Sequence, residues 1–159
     1  MTEQRQFDPE IVPATASDVA FLRRLSAEVF AHFGRYDRLL PEMMHLPRMR
    51  TVIAIHGDTR LGFAMYLLES VEDGEVDLAA IAVDPSWQSR GVGRALLRFV
   101  ESEALALCGD GPASVRLTVA EDNAVARRLF ERAGYVPLPA TAGFYDGGQR
   151  SLGLAKRLR

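Results

Sequence analysis

Residues 83–99, VDPSWQSRGVGRALLRF, decide how the rest of the chain is read. An apolar run, EVDLAAIAV at 75–83, leads into a loop. From Gly91 onward Val92, Ala95, Leu96, Phe99, Val100 and Leu107 recur at helical spacing. The pattern is strand, loop, helix. A helix N-terminus is the positive pole of its dipole, where acidic side chains are the stabilising choice. Here no acidic residue stands between Ser86 and Val100, and Arg90 and Arg94 sit at the helix start. The loop Gln88, Ser89, Arg90, Gly91, Val92, Gly93 contains two glycines that leave main-chain N–H groups unscreened. Bare amides, the dipole and two guanidinium groups make a local anion site suited to a phosphate or diphosphate, so the missing counter-charge belongs to a ligand. The plainer alternative is a solvated loop with surface arginines.

Upstream, EIVPATASDVAFLRRLSAEVFAHFG reads as a short strand and a helix capped by Ser17, with Val19, Phe21, Leu22, Leu25, Val29 and Phe33 on its apolar face and Gly34 at its end. DRLLPEMMHLPRM is a Pro-interrupted helical patch of the kind that shapes a pocket. RTVIAIHG, TRLGFAMYLLES and EVDLAAIAVDP are strand-like runs at hairpin spacing, which predicts an antiparallel meander. Downstream, VRLTVA is a short buried strand. EDNAVARRLFERAG is a helix opened by Asp122 or Asn123 and closed by Gly134. YVPLP and GQRSLGLAKRLR read as a last pair of strands. The strand before the Gly91 helix and VRLTVA should lie side by side, joined by a right-handed crossover. The fold class is α+β: a mixed, mostly antiparallel sheet with one parallel β-α-β crossover, flanked by helices.

The 159 residues fit one domain, 1–159. With 48% hydrophobic and 25% charged residues the composition is that of a folded globular protein. A net charge of −2 supplies no global field for nucleic acid or an anionic membrane. Cys108 is the sole cysteine, so no internal disulfide forms, and its place at a helix end reads as a buried small hydrophobe more readily than a catalytic thiol. His32, His45 and His56 are scattered without ligand spacing, so no metal is expected. No signal-peptide run opens the chain and no stretch approaches the length of a membrane span, which points to a cytoplasmic protein.

Which phosphate ligand would the loop take? A P-loop needs GxxxxGK[ST], and no Lys or Ser/Thr follows at that spacing. A dinucleotide fingerprint wants a third glycine where Leu96 stands and a shorter gap after the strand than Asp84 to Arg90. IAVDPSWQSRGVGRALL resembles instead the acyl-coenzyme A loop of the GNAT-type N-acetyltransferases, Gln or Arg, two residues, Gly, one residue, Gly or Ala; Gln88, Gly91 and Gly93 match. NAVARRLFERAGY is similar to the family's Asn-containing helix and the Gly-aromatic pair after it. The likeness spans roughly 10–158 and is sharpest over 75–135.

The resemblance implies acetyl transfer from acetyl-CoA, as cosubstrate, to a primary amine by direct attack. Amides of Gln88, Ser89, Arg90, Gly91, Val92, Gly93 and Arg94 would hold the coenzyme diphosphate. Ile81, Ala82 and Val83 would pair with the pantetheine arm as an added strand, beside the small residues Ala79 and Ala80. In the family an amide of that strand also polarises the acetyl carbonyl. Asn123 would reach the coenzyme from the next helix, or simply cap that helix. Phe130 stands where many members keep a proton-donating Tyr, and packs against the core or the cofactor arm.

An attacking alkylamine has a pKa near ~10.4 and must lose a proton. Asp77 is the candidate base, with Glu75 on the same face; both would otherwise only close the VEDGEVD hairpin in solvent. Tyr145, in GFYDGG, is the candidate acid in place of the absent Tyr, or a packing residue. Trp87 plugs the loop against the sheet, and Phe33, Tyr36, Met43 and Met44 line the acceptor pocket or the core. The acceptor is a small-molecule or peptide amine chosen by the first helices and the 140s loop; the chain is monomer or homodimer. A non-catalytic CoA-binding sensor of the same fold is the alternative, motivated by Phe130. A nucleotide-binding protein of dinucleotide type is a third reading.

Overall fold

A computed structural model describes residues 7–139 and 143–159. The first six residues, part of the stretch read for a leader, and 140–142 of the 140s loop lie outside it. Strands β1 (Glu10–Pro13), β2 (Met49–His56), β3 (Thr59–Leu67) and β4 (Glu75–Val83) form the antiparallel meander. Helix α1 (Val19–Val29) and helix α2 (Tyr36–Met43) connect β1 to β2. After β4 come α3 (Val92–Leu107), β5 (Ser114–Ala120), α4 (Ala124–Arg132), β6 (Val136–Pro137), β7 (Gly143–Phe144) and β8 (Arg150–Arg157). Among the described residues the strands make one eight-stranded sheet in the order β1-β2-β3-β4-β5-β8-β6, with β7 also on β8. The β4–β5 pair is parallel and the other pairs antiparallel, so the expected fold class and crossover are present.

Two apolar layers sandwich the sheet, and strand alternation builds both. On β3, Ala64 and Tyr66 enter the layer under α3 and α4, while Phe63 and Met65 enter the layer under α1 and α2. The α3 layer gathers Val92, Leu96, Leu97, Val100 and Ala104; the α1 layer gathers Phe21, Leu22 and Leu25. Each fully buried Leu of this kind contributes about 1.5–3 kcal/mol.

Several local expectations are corrected. The cap ahead of α1 is not Ser17: one 3-10 turn, Ala16–Asp18, precedes the helix, and the Asp18 carboxylate accepts from the Thr15 N–H at 2.8 Å and meets Arg60 Nε at 2.7 Å. The helix ends at Val29, ahead of Gly34. On α3 the buried face includes Leu97 and Ala104 while Leu107 is exposed, and the carboxylate of Glu101 is buried against Lys156 Nζ at 2.7 Å. Cys108 is half-buried, not fully buried, and burial pushes its thiol pKa up. The tail holds a short extra strand, β7, beyond the expected pair.

Candidate active site

From Gln88 onward the β4–α3 loop leaves its main-chain N–H groups free of acceptors within the described chain. Among the described residues no main-chain N–H of residues 88–94 donates a hydrogen bond within the chain; the bonds on either side are Trp87 N–H to Asp84 O and Ala95 N–H to Gly91 O. Left-handed φ at Ser89 (64°) and Gly91 (86°) turns the backbone sharply between β4 and α3. The two glycines differ in purpose. A Cβ on Gly91 would meet open space, so that position requires its left-handed φ; a Cβ on Gly93 would lie 3.3 Å from Leu129 of α4 and 3.6 Å from Val83 of β4, so that position requires close packing. Arg90 and Arg94 are exposed and, among the described residues, form no ion pair; Arg90 lies over the Trp87 ring at 4.9 Å. Trp87 is half-buried and stacks on Phe7 at 5.5 Å, as its plugging role required. Gln88 folds back, donating from Nε2 to the Val83 carbonyl at 3.3 Å.

β4 and β5 pair only over residues 75–78 against 114–117. An irregularity in the β3–β4 register, where Met65 faces Ala80 but Tyr66 faces Leu78, leaves Ala79 as an extra residue and swings the rest of β4 away. Residues 79–83, including Ile81, Ala82 and Val83, therefore present a β5-side edge with no strand partner. That edge runs about 13 Å, at ~3.3 Å per residue, from the amide run to the point where the strands part. Ala82 is buried and Ile81 and Val83 half-buried.

A cavity of about 420 Å³ is lined by Thr118, one residue past the last β5 residue that pairs with β4, and by residues of the α2 side. Arg35, Tyr36 and Leu39 line it from the start of α2. Phe144, Tyr145 and Asp146 line it from β7 and the turn after it, and Thr118 and Ser151 come from β5 and β8. Burial first, then the neighbouring Tyr145 and Asp146, raises the Tyr36 phenol above its usual pKa and keeps it protonated. Arg35 is held by Asp37 through two bonds of 3.0 Å. Of the acceptor-pocket residues expected from sequence, Tyr36 lines the cavity; Phe33 is buried but touches the Tyr145 ring at 5.3 Å, and Met43 and Met44 pack on the α1 layer. Arg35, Leu39, Phe144 and Asp146 lie in the first-helix segment and 140s loop expected to choose the acceptor but were not singled out, while Thr118 and Ser151 come from β5 and β8 and carry no spacing signal.

Asp77 and Tyr145 are not brought together in one pocket. Tyr145 lines the cavity, whereas Asp77 sits on β4 beside Arg116 of β5, Oδ1 to Nη2 at 3.4 Å, and Arg116 also meets Glu75 at 3.4 Å. Asn123 Oδ1 caps α4 by accepting from the Ala126 N–H at 3.2 Å. Phe130 is 3% exposed and edge-on to Tyr135 at 5.7 Å, so of its two expected places it takes the core. No group of three or more His, Cys, Asp or Glu able to hold a metal occurs among the described residues. Nor is any described helix long and apolar enough to cross a membrane.

The family model for the acetyltransferase (GNAT) family matches residues 19–135, and the chain belongs to that family. No curated protein matches the chain with significance. Among solved structures, a GNAT-family protein from Desulfovibrio desulfuricans is 27% identical with a TM-score of 0.74, over 94% of this chain and 99% of that one. The ribosomal-protein-S18-alanine N-acetyltransferase of Escherichia coli is 23% identical with a TM-score of 0.75, over 93% and 92%. The spermidine N-acetyltransferase of Vibrio cholerae, in complex with CoA and spermine, is 16% identical with a TM-score of 0.74, over 93% and 94%. The last two show the shared fold.

Proposed function

We propose that this protein transfers an acetyl group from acetyl-CoA to a primary amine by direct attack of the free amine, with no covalent enzyme intermediate. One observation carries the reading: the amides of residues 88–94, which donate no hydrogen bond within the described chain, follow directly on the stretch of β4 that has no β5 partner, and Thr118, one residue past the last β5 partner of β4, lines a cavity. Acetyl-CoA supplies an activated thioester. The chain's own residues do the rest. Amides 88–94, with Arg90 and Arg94, hold the diphosphate. The free edge at Ile81, Ala82 and Val83 takes the pantetheine arm as a strand takes its neighbour, and an amide of that edge polarises the carbonyl. Asn123 spends its Oδ1 on the cap, leaving its amide N–H groups for the coenzyme.

Asp77 is the base that removes the amine proton, acting through water because it does not line the cavity, and Arg116 fixes its carboxylate. Tyr145 is the acid that protonates the departing thiolate; Tyr36, kept protonated beside it, supports this role as a hydrogen-bond donor. The test is thiol release from acetyl-CoA with a panel of amines. Asp77→Asn and Tyr145→Phe should each lower kcat by about 10²–10³, in the range general acid–base catalysis supplies. Tight CoA binding with no turnover on any amine would favour the sensor reading, to which the buried, non-ionisable Phe130 lends support. Preference for NAD or FAD over CoA would favour the dinucleotide reading.

A further inference from the structure

We propose that the acceptor is a monoamine, a single ammonium borne on an apolar or aromatic body; this rests on the acetyl-transfer reading and names its substrate class. The charge around the cavity is the first argument. Its arginine, Arg35, is neutralised by Asp37 through two 3.0 Å bonds. The carboxylates on the neighbouring strands do not line the cavity: Glu75 and Asp77 share Arg116 at 3.4 Å, and Glu121 meets Arg150 at 3.7 Å. Among the described residues that leaves Asp146 as the one lining carboxylate without a cationic partner. One free carboxylate and two phenols, Tyr36 and Tyr145, suit one ammonium. A polyamine or aminoglycoside would bring further ammonium groups to a cavity whose lining offers a single carboxylate, and an unpaired charge taken out of water is costly.

The second argument is apolar. Phe144 is 79% exposed and Leu39 46% exposed, the first from β7 and the second from α2, and both line this same cavity. An exposed Phe beside an exposed Leu at the mouth of a polar pocket marks a place where an apolar group comes to rest. The cavity, at about 420 Å³, is of the size that holds one small molecule or the first residue of a peptide. Thr118 and Ser151 offer hydroxyls on its floor for hydrogen bonds to an adjacent carbonyl or amide.

Calorimetry of the folded protein, with and without CoA, against phenethylamine, a dipeptide amide with N-terminal Phe, spermidine and an aminoglycoside tests this without requiring turnover. Phenethylamine or the dipeptide should bind about tenfold or more tighter than the two polycations, the difference one well-buried apolar group provides. The better of the two identifies the source of the amine as a free arylalkylamine or a peptide N-terminus. Phe144→Ser should weaken the monoamine about fivefold or more and leave CoA affinity unchanged, and Asp146→Asn should weaken all amines. Tighter binding of spermidine or the aminoglycoside, or no binding of any monoamine, overturns the proposal. So does a Phe144→Ser protein that binds phenethylamine and the dipeptide as wild type does. Amine discrimination in the expected order without CoA binding would instead overturn the acetyl-transfer reading alone.

Discussion

The side-chain amide of Gln149 donates from Nε2 to the His32 carbonyl at 2.9 Å, tying the turn after β7 to the loop between α1 and α2. Gly147 N–H reinforces the tie by donating to the Phe33 carbonyl at 3.2 Å. These segments, with the start of α2, carry most of the lining of the cavity proposed to take the acceptor, so the bonds between them hold its shape.

Removing the tie with Gln149→Ala is therefore expected to raise the acceptor KM about three- to tenfold while leaving kcat and the CoA affinity nearly unchanged, since one hydrogen bond is worth about 0.5–1.5 kcal/mol. Gly147→Ala should be worse. Its Cβ would fall 2.0 Å from the His32 carbonyl oxygen, so the turn must move. Steady-state kinetics on any turned-over amine measures both.

Gly91→Ala forces a left-handed φ of 86° on a residue with a Cβ, a strain of about 1–2 kcal/mol, with no atom in the way. CoA affinity is expected to fall about tenfold as the loop relaxes. Gly62→Ala acts where β4 runs into the same loop, because its Cβ would clash with the Ala82 carbonyl oxygen and push β4 out of register. It should lower both thermal stability and CoA affinity.

Tyr135 is buried with its hydroxyl unpartnered, and burial followed by the charge of Glu101 pushes its pKa strongly up. Tyr135→Phe removes that unpaired group at constant shape and should stabilise the fold by about 1 kcal/mol. Glu101→Ala leaves Lys156 without its carboxylate and should destabilise it by about 2–4 kcal/mol, toward the range for breaking a buried pair. Urea denaturation reads each change as a shift in midpoint.

Asp18 titrates below its ordinary 3.8: burial pulls the other way, but the Thr15 N–H and Arg60 together outweigh it. A depressed folded pKa stabilises above the unfolded value and is lost as pH falls through the folded one. Stability should thus drop on acidification below about pH 4, and Asp18→Asn should be less stable at pH 7 but show a smaller drop. Melting temperature against pH checks the sign.

Local periodicity made the meander, the Gly91 helix and the crossover readable, because each is set by neighbours in sequence. The loop with free amides and two exposed arginines was equally plain, because these groups lie within a few residues of one another. The acceptor cavity was not, since Leu39, Thr118 and Phe144 meet only through the sheet. Glu101 escaped for the same reason: a helical pattern puts a carboxylate outside, and only β8 brings Lys156 to it. Asp77 and Glu75 read as carboxylates without a cation until the parallel register sets Arg116 opposite.

The most direct test is a CoA titration of the folded protein followed by calorimetry and by amide nitrogen–proton NMR. Binding heat, with the largest amide shifts at residues 88–94 and smaller ones along 81–83, is the expected result. Absence of heat, or binding whose shifts fall elsewhere and spare 88–94, would contradict the claim that these amides hold the coenzyme diphosphate.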